Sequence, residues 1–134
     1  RMLHMANIPD RLLYTKTHEW VKKLNSKEAI MGITDFAQQQ LKDIVFVELP
    51  SVGKELKMGT PCAVVESVKA AYDIYAPISG KVVKINQEIQ EKPQLVNEDP
   101  YGEGWFLQIE ISNPNELSSL LSPEQYRVAI ESEH

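Results

Sequence analysis

Lys69 stands where its amine could serve as an attachment point. It lies in Glu66-Ser67-Val68-Lys69-Ala70-Ala71, between two apolar stretches, Cys62-Ala63-Val64-Val65 and Asp73-Ile74-Tyr75-Ala76. Gly59 and Pro61 precede the first stretch, and Pro77 and Gly80 follow the second. Two short strands joined by a short polar stretch predict a β-hairpin. Lys69 then falls at or near the tip and points into solvent. An amine on a rigid tip is what a modifying enzyme needs to attach a prosthetic arm. Lysine is also one of the residue types most often exposed, so spacing alone favours an ordinary surface lysine. The context on both sides must separate the two readings.

The other chemistry-bearing residues are sparse. The histidines are His4, His18 and His134. His18 by itself provides neither a metal cluster nor a triad. Cys62 is the single cysteine, which excludes an intramolecular disulfide and a secreted disulfide scaffold. Its neighbours Ala63, Val64 and Val65 place it in a strand as a buried, inert thiol. There is no dinucleotide fingerprint and no phosphate loop; Gly53, Gly59 and Gly80 read as scattered turn residues. These side chains offer no route to catalysis unaided, so an arm on Lys69 would have to supply the reactive group.

The elements that must position Lys69 show a weak internal symmetry. Before it runs Pro50-Ser51-Val52-Gly53-Lys54-Glu55-Leu56-Lys57-Met58-Gly59; after it runs Pro77-Ile78-Ser79-Gly80-Lys81-Val82-Val83-Lys84-Ile85-Asn86. Each half has a proline, a nearby glycine and an alternating segment. Lys69 lies near the centre of this pseudo-symmetric pair of β units. Trp105 to Ile111 supplies a further strand.

Upstream, Tyr14 to Ile33 reads as strands with a turn at Asn25-Ser26. Thr34 can cap a short helix over Asp35–Leu41, with Asp35 complementing the helix dipole and Phe36 and Leu41 docking on the sheet. Ile44-Val45-Phe46-Val47-Glu48-Leu49 shows little alternation and reads as a largely buried strand. Gln87 to Gly104 reads as a long connection, either a clasp over the core or a partner contact. Asn113-Pro114-Asn115-Glu116 and Ser122-Pro123-Glu124-Gln125 each look like a helix start, the second helix running to about Glu131. Leu117, Leu120, Leu121, Tyr126 and Val128 give these helices an apolar face. The sum is a mainly β fold: two small antiparallel sheets face to face, with short peripheral and C-terminal helices.

With 134 residues, 43% of them apolar, the chain can bury a modest core as one domain. Arg1–His4 reads as an expression remnant ahead of a native Met5, so the expected domain is 5–134. The net charge of -5 argues against nonspecific nucleic-acid binding. No apolar run approaches the ~20 residues of a membrane span, and no signal or transit peptide is visible. The expectation is a bacterial cytoplasmic protein, or a mitochondrial matrix protein if the source is eukaryotic.

Several blocks together resemble a known family. They are His18-Glu19-Trp20-Val21, Gly32-Ile33-Thr34-Asp35, Asp43-Ile44-Val45-Phe46-Val47-Glu48-Leu49-Pro50, Glu66-Ser67-Val68-Lys69-Ala70, Tyr75-Ala76-Pro77-Ile78-Ser79-Gly80 and Asn97 to Trp105. In this order, over roughly Leu13 to Arg127, they resemble the H protein of the glycine cleavage system, a lipoyl carrier. The resemblance implies a lipoyl-domain-like barrel-sandwich hybrid and lipoate bound covalently through Lys69. It implies that Glu66, Ser67, Val68 and Ala70 are read by the lipoylation enzyme, a lipoate ligase or an octanoyl/lipoyl transferase. Biotin carriers place their lysine between methionines, whereas Val68 and Ala70 flank it here. Lipoyl domains of 2-oxo acid dehydrogenases usually have aspartate where this chain has Val68.

The same resemblance implies a carrier, not an enzyme, and a monomer. A pyridoxal-phosphate decarboxylase (P protein) loads an aminomethyl group onto the arm. A tetrahydrofolate-dependent T protein takes the one-carbon unit and frees ammonia. A flavin-dependent dihydrolipoamide dehydrogenase (L protein) reoxidises the dithiol. A labile cargo calls for a cleft that excludes water. Glu19 is the candidate cleft residue by resemblance, a carboxylate that could pair with the aminomethyl ammonium. Some family members have histidine where this chain has Gln40, so a histidine contact is not expected here. Two alternatives remain open: a lipoyl donor for 2-oxo acid dehydrogenases, and an unmodified interaction domain.

Overall fold

A computed structural model of the chain describes residues 6–133. The expected remnant at Arg1–His4, the start at Met5 and the terminal His134 lie outside these residues. The strands are β1 (Leu13–Tyr14), β2 (Glu19–Lys23), β3 (Glu28–Ile33), β4 (Ile44–Glu48), β5 (Glu55–Leu56), β6 (Pro61–Ser67), β7 (Ala71–Tyr75), β8 (Gly80–Ile85) and β9 (Leu107–Ile111). The α-helices are α1 (Asp35–Leu41), α2 (Glu88–Glu91), α3 (Gln94–Glu98) and α4 (Pro123–Glu131). One sheet has the order β1-β2-β3-β9-β8-β5, the other β4-β6-β7. All pairings are antiparallel. One core lies between the sheets: Val21, Met31, Ile33, Val82, Leu107 and Ile109 from the larger meet Ile44, Val47, Ala63, Val65 and Ile74 from the smaller. This is the mainly β sandwich expected, with no closed barrel.

The two pseudo-symmetric segments turn out to pair with each other. Glu55 lies opposite Lys81 and Leu56 opposite Gly80, and Gly53 N–H donates to the Val82 carbonyl. Gly80 is therefore a strand residue, not the turn residue expected from its sequence. A Cβ there would run into the backbone carbonyl oxygen of Glu110 and come within 2.7 Å of Ile109 Cγ2. Gly32 answers a similar demand: it lies opposite Trp20, and a Cβ would sit 2.9 Å from the indole ring. The indole is fully buried and its Nε1–H donates to the Pro100 carbonyl (3.0 Å).

Local signals place the helices. Thr34 Oγ1 accepts from Ala37 N–H and caps α1, whose Phe36 is buried. Ser122 and Gln125 form a reciprocal capping box at α4. The segment from Asn113 forms a 3-10 helix, Pro114–Ser119, instead of an α-helix. Its Glu116 turns away from the cap and accepts from Ser79 N–H and Oγ–H (2.7 and 2.8 Å). Val128, expected on the apolar face, is exposed.

Two further expectations change. The β4 strand is not largely buried: Ile44 and Val47 face the core, whereas Val45 and Phe46 are 54% and 46% exposed. A bulge between Ile44 and Phe46 takes Val45 out of register. Phe46 shares the uncovered outer face with its cross-strand partner Glu66 and with Ala71 beyond it. The stretch from Gln87 is no open loop. It folds into α2 and α3, which bury Ile89 and Val96. Asn97 ties it down by accepting from Ile44 N–H (2.9 Å) and donating to the Lys42 carbonyl (2.8 Å). The clasp reading holds.

Candidate functional site

Strands β6 and β7 form the hairpin that carries Lys69. Val64 pairs with Asp73, Val65 with Tyr72 and Glu66 with Ala71. Val68 and Lys69 span the turn. Two-residue hairpin turns usually need positive φ and so favour glycine or asparagine. Neither residue has a positive φ here. Ser67 closes the turn instead. Its backbone N–H donates to the Ala70 carbonyl (2.9 Å), and its Oγ accepts from Lys69 N–H (3.3 Å). Ser67 is buried beneath the turn, whereas Glu66, Val68, Lys69 and Ala70 are exposed. Val68 reaches 78% exposure, an apolar side chain left in water beside the lysine. Among the described residues no carboxylate lies within salt-bridge distance of the Lys69 amine. The amine is thus exposed on a fixed turn, with no carboxylate partner among the described residues.

Glu19 is not brought to the tip. It sits at the start of β2 and is 1% exposed. Thr15 Oγ1–H and Thr17 Oγ1–H both donate to its Oε1 (2.6 Å each), and Tyr75 N–H donates to Oε2 (3.1 Å). Its own N–H donates back to Thr15 Oγ1 (3.0 Å). The carboxylate therefore plugs the free edge of β7 at the base of the hairpin. Burial pushes its pKa up, and the hydroxyl and amide donors pull it part of the way back. Sequence reasoning missed Thr15 and Thr17. Two hydroxyls preceding a carboxylate at two-residue spacing was the available signal.

Where it meets β4 and the segment that follows, the hairpin borders a cleft of about 370 Å³, lined by Glu48, Pro50, Lys54, Cys62, Val64 and Asp73 among others, but not by Glu19 or the tip residues. Burial, with Glu19 nearby, pushes the Cys62 thiol up to about 12. It stays protonated at neutral pH, which matches the inert reading. Gln40 is exposed on α1 and has no place in this cleft.

His18 occupies the same loop as Thr17 and Glu19. It has φ 76, in the left-handed region. Its Nδ1 lies 2.8 Å from the Tyr126 hydroxyl and its Nε2 3.1 Å from a Glu133 carboxylate oxygen. Tyr126 Oη is also 2.7 Å from Thr34 Oγ1. No group of three or more His, Cys, Asp or Glu residues positioned to hold a metal occurs among the described residues, and no helix there is long and apolar enough to cross a membrane.

The family described as Glycine cleavage H-protein matches residues 12–133. A protein of Carboxydothermus hydrogenoformans named glycine cleavage system H protein is 57% identical over 129 residues, 96% of this chain and 98% of its own length. A protein of the same name from Xylella fastidiosa is 51% identical over 129 residues, covering 96% of this chain and 98% of its own length. The crystal structure of a glycine cleavage system H protein from Mycobacterium marinum superposes with a TM-score of 0.86 at 33% identity, over 92% of this chain and 99% of that one. The chain belongs to the glycine cleavage H-protein family.

Proposed function

We propose that this chain, the carrier component of a glycine cleavage system, bears lipoate in amide linkage on Lys69. The observation that supports this reading most is the Val68-Lys69 turn, an unpaired amine on a serine-pinned tip. When bound, the group supplies a disulfide that opens by accepting an electron pair and can be closed again by oxidation. Lys69 contributes the tether, which replaces free diffusion by a high local concentration. Exposed Glu66, Val68 and Ala70 offer the lipoate ligase or octanoyl/lipoyl transferase a surface around the amine, and buried Ser67 holds the turn for it.

The remaining residues receive the cargo. The P, T and L proteins take turns at the tip, and between visits the aminomethyl group needs shelter from water. The cleft beside the hairpin provides that shelter, with Glu48 and Asp73 as carboxylates facing a cationic cargo. Glu19 does not line the cleft; it steadies the base of the bordering hairpin through Tyr75 N–H. Oε1 already takes both threonine hydroxyls, so an ammonium would meet the carboxylate at Oε2, beside Tyr75 N–H, or displace the Thr17 hydroxyl. Its bacterial relatives favour the cytoplasm as the place of action.

Peptide mapping after treatment with lipoate and a lipoate ligase tests the attachment. A single modified peptide containing Lys69 is expected, and none in Lys69→Arg. A lipoyl group on any other lysine of the folded protein refutes the assignment.

A further inference from the structure

The Thr15–Glu19 loop is held from outside by the C-terminal helix. His18 adopts a backbone conformation that costs a non-glycine residue on the order of 1 kcal/mol, so something in the fold must hold it. Four contacts do so. Tyr126 of α4 bonds Nδ1 and Glu133, just past α4, bonds Nε2. Thr34 N–H donates to the His18 carbonyl (3.0 Å), and Phe36 of α1 packs on the ring at 4.9 Å. Tyr126 is itself fixed, fully buried and stacked on Tyr14 with centroids 4.6 Å apart. On either side of His18 stand Thr17, whose hydroxyl donates to Glu19, and Glu19 itself, which accepts from Tyr75 N–H. The left-handed residue reverses the chain between them.

We propose that His18 and Tyr126 are positioning residues, through which helix α4 holds the Thr15–Glu19 loop in the conformation that keeps Glu19 against the base of the lysine hairpin. For the cleft, this rests on the reading that Glu19 steadies the hairpin that borders it. The protons run in one direction. Nε2 faces the Glu133 carboxylate and carries the ring proton, so on a neutral ring Nδ1 accepts from Tyr126 O–H, and the Thr34 hydroxyl is left to donate to Tyr126 Oη. A neutral imidazole satisfies every member of this chain. A second proton on the ring would reverse the Tyr126 bond and compete with the Thr34 proton. Burial holds the imidazole below its usual pKa against the pull of Glu133. Glu133 and Tyr126 are the titratable groups within bonding distance of the ring, while α1 presents Phe36. The chain is therefore intact above about pH 6.5 and weakens as the pH falls through the lowered pKa.

Amide hydrogen exchange at Tyr75, whose N–H bonds Glu19, is the test. It is read on the full chain without lipoate, so its outcome does not depend on modification of Lys69. In Tyr126→Phe, protection at Tyr75 falls about fivefold, the factor that corresponds to one neutral hydrogen bond, while amides of β3 and β9 keep theirs. In the wild type, Tyr75 protection falls on acidification both with the titration of Glu19, its own acceptor, and with the His18 ring resonances, and His18→Gln lacks the part that follows the ring. Unchanged Tyr75 protection in Tyr126→Phe, with loss confined to α4, overturns the proposal. If Tyr126→Phe loosens all amides alike, Glu133→Ala decides, because it removes the Nε2–H acceptor at an exposed position. Selective loss at Tyr75 supports the positioning role, and no change there overturns it.

Discussion

Replacing Glu19 by glutamine tests whether this buried carboxylate is held as the structure indicates. The amide has the same shape and can turn so that its oxygen takes Tyr75 N–H while its NH₂ donates to the Thr15 and Thr17 hydroxyls, both of which can accept. All three bonds survive but lose charge assistance, at about 1 kcal/mol each. Against that loss, the neutral side chain escapes the desolvation cost of a buried anion, which is several kcal/mol. The terms nearly cancel, so at pH 7 Glu19→Gln changes stability by no more than about 1.5 kcal/mol. Glu19→Ala strands a buried amide and leaves a cavity, and costs about 3 kcal/mol or more. The pH dependence carries the sign. The carboxyl pKa is raised in the folded state above its ordinary 4.5, so the native wild type binds a proton that the unfolded chain does not. The stability contributed by that proton is fully present below 4.5 and is lost as pH rises through the folded pKa. Wild type therefore gains on Glu19→Gln as the pH drops from 7 towards 4. Urea unfolding followed by the fluorescence of buried Trp20 measures this. A difference that is flat with pH, or one that favours glutamine on acidification, refutes the account of Glu19.

Other consequences are as direct. Lys69→Arg, at an exposed turn, shifts stability by less than about 0.5 kcal/mol yet abolishes glycine cleavage in a reconstituted system, because arginine is not acylated; turnover near wild type refutes the carrier mechanism. Gly80→Ala forces β8 away from β9 at Glu110 and costs about 3 kcal/mol, read as a lower urea midpoint; a wild-type midpoint refutes the close approach. In the loaded carrier without T protein, Glu19→Gln speeds the loss of formaldehyde and ammonia more than it slows loading. Equal decay rates leave Glu19 a structural residue of the β7 edge.

What the sequence determined by itself was local. The hairpin around Lys69 was legible because turn signals bracket two short apolar runs, and strand pairing across so short a link needs no distant information. The Thr34 cap and the Ser122–Gln125 capping box were legible for the same reason: each is settled by hydrogen bonds within four residues. Tertiary structure decided the rest. Val45 and Phe46 read as core, because apolar composition does not say which face of a sheet another layer will cover. Here the outer face of β4 stays bare and a bulge displaces Val45. Gly80 read as a turn, because only the neighbouring β9 backbone reveals that no Cβ fits. Glu19 was legible only by resemblance, as a cleft residue, because the amide that it accepts from belongs to Tyr75, on a strand of the other sheet. His18 read as an isolated histidine, although its partner Tyr126 lies 108 residues further along the chain. A hydrogen bond of that span leaves no periodicity or spacing to read, since it exists only once both sheets and the C-terminal helix have packed.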